Sequence, residues 1–168
     1  MSEDGATLLD PVAVDALKAT LGSMLARSHR TVLQLTAGLS EEAARERLVA
    51  DGSSARWVVG HLVASRDFML KTLGAERLQE ASFSEAFGFG SKPEGEPDAT
   101  LAELLAAYRE TEAPLSAALA AVRAEDLVRP AGRTTVRQHL ELLVWHEAYH
   151  LGQLMLYRRA AGLDNPIG

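Results

Sequence analysis

Apolar residues recur every three or four positions along most of this chain, which is the spacing of amphipathic α-helices. Four long segments carry the pattern, and each begins at a residue that commonly caps a helix. The segments run from Asp10-Pro11 to near Gly38, from Ser53 or Ser54 to about Leu73-Gly74, from Thr100 along a stripe that reaches Val122, and from Thr135 to near Gly162. The pattern therefore predicts an all-α fold.

Glycine and proline interrupt the segment between the second and third predicted helices, residues 75–99. The interrupting residues are Gly88, Gly90, Pro93, Gly95 and Pro97. Because such residues disfavour regular structure, the segment is predicted to be a long crossover loop without a helix. Three phenylalanines are expected to pin part of it to the rest of the protein: Phe83, Phe87 and Phe89.

Shorter signals mark a kink and the connections. Pro114 falls inside the third helix and cannot donate a hydrogen bond to the Glu110 carbonyl, so we expect a kink there. Ser40 caps a short acidic segment, Glu41 to Val49. Pro130 to Arg133 are expected to form a turn before the fourth helix.

The fourth helix is apolar around most of its circumference. One flank carries Leu140, Val144 and Leu151, and the other carries Leu142, Trp145, Tyr149 and Leu156. Helices with this distribution are buried on several sides. We therefore expect the fourth helix to contribute to the core and also to the interface of a homodimer.

Composition narrows the possible functions. The chain has 168 residues, of which 47% are hydrophobic, as expected for a single domain spanning residues 1–168. It has no cysteine, which rules out disulfides, thiolate metal ligands and a cysteine nucleophile. The net charge is −6 and no basic patch is visible, so nucleic acid is not an expected partner. No signal peptide and no membrane-spanning apolar run is apparent, which predicts a cytoplasmic protein without a membrane partner.

Three histidines form the strongest candidate site. His146 and His150 are four residues apart, so both imidazoles lie on one face of the fourth helix. His61 lies in the apolar stripe of the second helix. Two neighbouring helices could bring the three together around one divalent metal ion, for which Zn²⁺, Ni²⁺, Cu²⁺ and Fe²⁺ are suitable. Each histidine could instead be an ordinary core residue, and the residues alone leave both interpretations open.

Residues 146–150 also spell H-E-x-x-H, the motif of zinc metalloproteases in which Glu147 would be the general base. The ligands that such proteases use after the motif are missing, since Leu156 stands in the place of a third histidine. Glu147 is therefore expected to pair with an arginine at an interface rather than to act on a metal-bound water. His139 lies about 10 Å from the pair along the helix, too far to share an ion. His29 is expected at the edge of the core.

The order and spacing of these residues resemble the DinB/YfiT-like superfamily, which includes thiol-dependent S-transferases. The matching stretches are Ser54 to Leu62, His146 to Gln153, the tail Tyr157 to Leu163, and Glu85 to Gly88 followed by Gly90-Ser91 and Pro93. The resemblance implies an up-down-down-up four-helix bundle, often dimeric, with a three-histidine metal site at one end of a pocket. It also implies that His61, His146 and His150 are the ligands, and it implies no contact with DNA.

The function expected on this basis is a metal-dependent thiol S-transferase that acts on a small electrophile, with a cosubstrate such as bacillithiol or mycothiol. One divalent ion, Zn²⁺ or Ni²⁺, would hold the thiol as thiolate. Trp57, Phe68 and Tyr149 could shape the pocket. Two alternatives remain: a metal-dependent hydrolase with Glu147 as base, and a non-enzymatic, stress-linked protein that binds a metal or a small molecule.

Overall fold

Helices make up most of the chain in the computed structural model, which describes residues 8–93 and 97–167. In chain order the elements are α1 (Pro11–Thr36), α2 (Glu41–Arg45), α3 (Ala55–Leu73), α4 (Ala81–Phe87), α5 (Leu101–Glu110), α6 (Glu112–Ala120), α7 (Ala124–Leu127), β1 (Pro130–Ala131), β2 (Thr134–Thr135) and α8 (Val136–Ala160). The predicted helical character is confirmed, and the expected turn before α8 is flanked by the two short strands of a hairpin. Within the described ranges, no helix combines the length and the apolarity that crossing a bilayer requires.

The long helices begin at the predicted capping residues. In each case the side chain of the cap accepts a hydrogen bond from the backbone N–H three residues further on, which supplies a partner that the first helical turn lacks. The pairs are Asp10 with Ala13, Ser54 with Trp57, Thr100 with Glu103, and Thr135 with Gln138. These local interactions fix where α1, α3, α5 and α8 start.

The third predicted helix is divided into α5 and α6 at Thr111. Pro114 has no N–H with which to bond the Glu110 carbonyl, and the helix is interrupted just before it. The Thr111 hydroxyl donates to the Tyr108 carbonyl at 2.6 Å, which is a side-chain hydrogen bond at the point where the helix is interrupted. A kink was expected at Pro114, and the structure shows an interruption of the helix three residues before it.

The crossover segment contains a helix, α4, which corrects the prediction of a loop without one. Phe83 and Phe87 both pack against the core, and Phe87 is 1% exposed. The prediction failed because the glycines and prolines of the segment follow residue 87, and because Glu80 makes no capping hydrogen bond that would mark the start of a helix. Phe89 is not pinned in the core but is 55% exposed. Gly95, which belongs to the predicted loop, lies outside the described residues.

α3 is the central helix of the fold and packs against α2, α4, α5, α6 and α8. Nearly all of its residues between Ala55 and Leu70 are buried. Its apolar side chains belong to two core clusters, one that includes Leu62 and Phe87 and one that includes Met69 and Leu140. Because a helix buried on all sides has no access to water, its polar residues need partners inside the protein.

α8 divides its apolar residues between the core and the surface. Leu140, Leu143, Val144 and Leu154 are buried. Four others lie at helical spacing on the opposite face and are between 54% and 62% exposed: Leu142, Trp145, Tyr149 and Leu156. We call these four residues the α8 outer stripe. The expected contribution of α8 to the core is confirmed, and the homodimer interface that was expected on this helix stays a prediction.

Candidate metal centre

Three histidine side chains meet between α3 and α8. The Nε2 atom of His146 lies 3.1 Å from Nε2 of His61 and 2.9 Å from Nε2 of His150. One ring nitrogen of each residue lies within 4.8 Å of the other two. His61 and His150 are buried, and His146 is partly exposed. The structure therefore brings together the three histidines that the sequence singled out, and the group could hold a metal ion.

Hydrogen bonds on the far side of two rings fix their orientation. His61 Nδ1 lies 2.5 Å from the Phe87 carbonyl oxygen, and His150 Nδ1 lies 2.6 Å from Gln153 Oε1. Both oxygens are acceptors, so each Nδ1 carries the proton and donates it. In the neutral rings, Nε2 of His61 and of His150 then keeps its lone pair, which faces His146. Metal-binding histidines are commonly held by their second nitrogen in this way.

The donor atoms and their separations fit one divalent cation. Imidazole nitrogens bind Zn²⁺ at about 2.0–2.1 Å in tetrahedral sites, which places the nitrogens about 3.3 Å apart. The Nε2 separations of 2.9 and 3.1 Å are close to that value. His146 Nδ1 is buried without a hydrogen-bond partner among the described residues, so the other two histidines are the polar contacts of this ring. Three protein ligands would leave at least one coordination position open.

Burial keeps the imidazoles neutral. Burial, together with the neighbouring His146 and His61, lowers the pKa of His150 to about 3, and the hydrogen bond to Gln153 opposes this shift. Burial lowers the pKa of His146 to about 4, with a contribution from His61. The pKa of His61 is also lowered by burial, although the hydrogen bond to the Phe87 carbonyl opposes this effect. At neutral pH all three rings are therefore in the form that binds metals.

We expect the metal-free protein to lose stability as the pH falls from 7 to 5.5. The unfolded chain binds protons at His146 and His150 with a pKa of 6.5, whereas in the folded chain these pKa values are about 4 and about 3. Between these values the unfolded state carries more protons, so acidification favours unfolding, by roughly 2 kcal/mol for the two residues together. Urea unfolding at both pH values measures the effect. A His146→Gln/His150→Gln variant should lose most of it, and an equal pH dependence in both proteins contradicts the assignment.

Two of the three aromatic residues that were predicted to shape the pocket contact the histidines. The contacts are Trp57 stacked on His61 with ring centroids 4.8 Å apart and Tyr149 edge-on to His150 at 5.0 Å. Phe68 makes no ring contact with the three histidines in the described part of the chain. It lies edge-on to Phe89 at 6.0 Å.

Phe89 covers the histidines from the crossover segment. Its ring centroid lies 5.3 Å from that of His61 and 4.9 Å from that of His146. From the sequence, Phe89 was expected to pin the crossover segment to the rest of the protein, and its position beside the histidines was not predicted. The available signal was the two glycines, Gly88 and Gly90, that flank Phe89 in the sequence. In the structure Gly90 has a positive φ of 84°. Such backbone freedom places an aromatic side chain outside a regular helix.

A buried carboxylate anchors the segment that carries α4. Asp67 accepts hydrogen bonds from Arg77 Nε at 2.6 Å and from the backbone N–H groups of residues 78 and 79. Arg77 also donates to the Ser84 hydroxyl in α4. Phe87 at the end of α4 supplies the carbonyl that orients His61. The Asp67 network therefore helps to position His61 without contacting it. The role of Asp67 was not predicted from the sequence.

Gly60→Ala is expected to disturb the same contact. Gly60 lies so close to the Phe87 ring that an added Cβ would overlap it, and the buried ring has little room to move. We expect the free energy of unfolding to fall by roughly 1–3 kcal/mol. Metal binding should weaken as well, because the Phe87 carbonyl orients His61. Urea unfolding and chelator competition measure the two effects.

The matched control for this substitution is Gly152→Ala in α8. A Cβ at Gly152 meets nothing within 4 Å, so alanine should stabilise the helix by up to about 1 kcal/mol. If Gly60→Ala gains stability in the same way, the close packing of α4 on α3 is not a constraint on the site.

Glu147 is paired inside the protein with an arginine that sequence analysis missed. Its two carboxylate oxygens accept hydrogen bonds from Arg66, at 2.6 Å from Nε and at 3.1 Å from Nη2. Each side chain is 1% exposed. The expectation of an arginine partner is right, but the pair joins α3 and α8 of one chain and does not lie at an interface. The available signal was Arg66-Asp67, two adjacent opposite charges in the middle of a mostly apolar helix.

The other N–H groups of Arg66 bind further buried partners. Nη1 donates to His29 Nδ1 at 3.0 Å and to the Thr111 hydroxyl at 3.4 Å, and Nη2 donates to the Leu25 carbonyl at 3.1 Å. The guanidinium carbon lies 4.3 Å from the centroid of the Tyr108 ring. With the two hydrogen bonds to the carboxylate, all five donors of Arg66 have acceptors.

His29 belongs to this buried network, which corrects its predicted place at the edge of the core. It is 5% exposed and stacks on Tyr108 with ring centroids 5.1 Å apart. Arg66 can only donate, so Nδ1 of His29 accepts, and the proton is on Nε2, 3.1 Å from the Glu112 carboxylate. Burial and the charge of Arg66 lower the pKa of His29. Neither His29 nor His139 is part of the histidine cluster.

The family of this chain follows from comparison with known proteins. The sequence matches the DinB superfamily over residues 24–154, a range that contains all three clustered histidines. A similar solved structure is the crystal structure of a conserved protein from Enterococcus faecalis, with a TM-score of 0.69 and 18% sequence identity over 84% of this chain and 94% of that chain. This likeness concerns the fold alone, and no curated protein matches the sequence. Because the family match spans most of its length, the chain belongs to the DinB superfamily.

Proposed function

We propose that this protein is a metal-dependent enzyme that transfers a small-molecule thiol to an electrophilic substrate. The observation that carries the proposal is the convergence of three imidazole Nε2 atoms in a chain without cysteine. His61, His146 and His150 would hold one Zn²⁺ or Ni²⁺ ion and leave a position open for a further ligand. A low-molecular-weight thiol is the ligand that we favour, with bacillithiol and mycothiol as candidate cosubstrates.

The residues of the chain would bind, orient and shield the reactants. The Phe87 carbonyl and the Gln153 amide hold the rings of His61 and His150 with Nε2 facing the centre. When bound, the cation supplies the charge that keeps a coordinated thiol deprotonated at neutral pH. Trp57 and Phe89 contribute apolar walls beside the histidines, which limit the access of water.

A hydrolase is less well supported because Glu147 is engaged elsewhere. Metal-dependent hydrolysis needs a base near the attacking water, and Glu147 is the carboxylate next to a clustered histidine in sequence. Both of its oxygens accept hydrogen bonds from Arg66, so they are poorly placed to accept a proton from water. The cluster itself contains no carboxylate among the described residues.

Thiol consumption tests the proposal. Metal-loaded protein is incubated with a chromogenic electrophile and with bacillithiol, mycothiol or another cellular thiol, and the loss of free thiol is followed. We expect turnover that falls to background in His61→Ala, His146→Ala and His150→Ala. Glu141→Gln is the control, since it changes an exposed α8 side chain outside the cluster, and it should retain turnover.

The outcomes separate the candidate functions. Unchanged turnover after replacement of the three clustered histidines removes the mechanism. Absence of turnover with every thiol, despite tight metal binding, favours a non-enzymatic, stress-linked protein that binds a metal or a small molecule.

We also propose that α1, α3, the α5–α6 pair and α8 form an up-down-down-up four-helix bundle within a single cytoplasmic domain of residues 1–168. Two copies would associate through the α8 outer stripe, whose four large apolar side chains are exposed. Light scattering tests the association, with Trp145→Glu as the disrupting variant. A wild-type protein that remains monomeric at micromolar concentration contradicts it.

A further inference from the structure

A cleft lies near the histidine cluster, between the end of α3, the β1–β2 hairpin and the start of α8. Its volume is about 270 Å³, and it is lined by Phe68, Lys71, Thr72, Arg129, His139 and residues 130–132. We call it the hairpin cleft. Its lining contains a lysine, an arginine and a histidine but no carboxylate, in a chain whose net charge is −6. The hairpin cleft is therefore positively charged, although the chain as a whole is negatively charged.

Lys71 and Arg129, the two cationic side chains of the hairpin cleft, have hydrogen-bond donors that are available to a ligand. Lys71 and Arg129 are exposed, and neither forms an ion pair within residues 8–93 and 97–167. Arg129 donates one hydrogen bond, from Nη2 to the Thr72 carbonyl at 3.2 Å. His139 adds an imidazole whose Nδ1 is buried without a partner in the same ranges. Unpaired ammonium and guanidinium donors at one cleft favour an anionic group such as a carboxylate or a phosphate.

The hairpin cleft and the histidine cluster lie between the same faces of α3 and α8. On α3, Phe68 follows His61 by seven residues, and on α8, His139 precedes His146 by seven. Seven residues are about two helical turns, so each pair shares a helix face at a separation of about 10 Å. Phe68 meets His139 edge-on at 5.1 Å, and His61 meets His146 at 5.0 Å. α3 and α8 are therefore antiparallel here, and the cleft lies about two turns from the cluster.

Two phenylalanines connect the cluster with the cleft. Phe89 lies 4.9 Å from His146 and 6.0 Å from Phe68, measured between ring centroids. Phe68 in turn lines the hairpin cleft. The two rings form an apolar surface along which the connecting chain of a ligand can lie.

We propose that the small molecule held at the histidine cluster is an extended anion whose negative group binds in the hairpin cleft. The proposal rests on the proposed function and adds a chemical class to it: the cosubstrate is a thiol that carries a carboxylate or a phosphate about 10 Å from its sulfur. Lys71 and Arg129 bind the negative group, and Phe68 and Phe89 contact the connecting chain.

A matched pair of thiols tests this inference. Mercaptooctanoate and the neutral mercaptooctanol have the same chain length, and their dissociation constants for the metal-loaded protein are measured by calorimetry. We expect mercaptooctanoate to bind about tenfold more tightly. The Lys71→Gln/Arg129→Gln variant should bind the two thiols equally, with its affinity for mercaptooctanol unchanged. Arg133→Gln, which removes a charge from the hairpin outside the cleft lining, should keep the preference.

A second measurement separates this inference from the proposed function. Succinate and inorganic phosphate are titrated into the protein while the NMR signals of the His139 ring are followed. We expect shifts in the wild type and in Arg133→Gln but not in the double variant, and the two titrations show which anion the cleft prefers. If neither thiol binds the metal but these shifts occur, the proposed function fails and the anion site stands. Equal affinity for both thiols in the wild type, or no shift of His139 with either anion, overturns the inference.

Discussion

Glu147→Gln is expected to lower the free energy of unfolding by about 3–5 kcal/mol, because it leaves the Arg66 guanidinium buried without a counter-charge. The amide keeps the shape of the carboxylate, so the effect reports the charge rather than a cavity. Burial by itself lowers the pKa of Arg66, but the attraction of Glu147 outweighs it and the pKa is raised. Arginine is not deprotonated in proteins even without its counter-charge, so Arg66 stays charged in the variant and the loss appears as a lower free energy of unfolding.

The control for this prediction lies on the same helix. Arg137 and Glu141 form an ion pair at 2.8 Å, but both side chains are more than 40% exposed. Glu141→Gln should therefore change the free energy of unfolding by less than about 1 kcal/mol. Urea unfolding of both variants at pH 7 measures the difference. If the two substitutions have similar effects, the Arg66–Glu147 pair is not a determinant of stability.

Replacement of a clustered histidine is expected to have the largest effect on metal affinity. His61→Ala removes one of three nitrogen donors and should weaken Zn²⁺ binding by more than about 100-fold, beyond the 10- to 100-fold that loss of an outer hydrogen bond typically causes. Gln153→Ala removes only the acceptor that orients His150 and should fall within that lower range. His139→Ala should have no effect, since His139 is outside the cluster.

Chelator competition measures this graded series. The order of the Zn²⁺ affinities of the three variants matters more than any single affinity, because a general loss of folding would weaken Zn²⁺ binding in all three. Circular dichroism of each variant checks the helical content. An affinity for His61→Ala equal to that of His139→Ala contradicts the assignment of His61 as a ligand.

The sequence predicted those parts of the fold that local interactions determine. The caps at Asp10, Ser54, Thr100 and Thr135 bind backbone groups three residues away, so their effect is readable from the sequence alone. The histidine cluster was found for a related reason, since the spacing of His146 and His150 fixes both on one helix face.

The parts that sequence analysis missed depend on contacts between distant segments. α4 has no capping hydrogen bond and is held by the packing of Phe87 against Gly60, which comes from another helix. Arg66 and Glu147 are separated by 81 positions, so nothing local identifies them as partners. His29 looked like a boundary residue because its hydrogen-bond donor, Arg66, lies on α3 and its acceptor, Glu112, lies on α6.

The metal content of the protein tests the central claim most directly. Protein purified without an affinity tag is analysed for divalent metals, beside a variant in which His61, His146 and His150 are all replaced by alanine. We predict about one Zn²⁺ or Ni²⁺ ion per wild-type chain and none in the variant. A folded wild-type protein that is purified free of metal and does not bind added Zn²⁺ or Ni²⁺ contradicts the account.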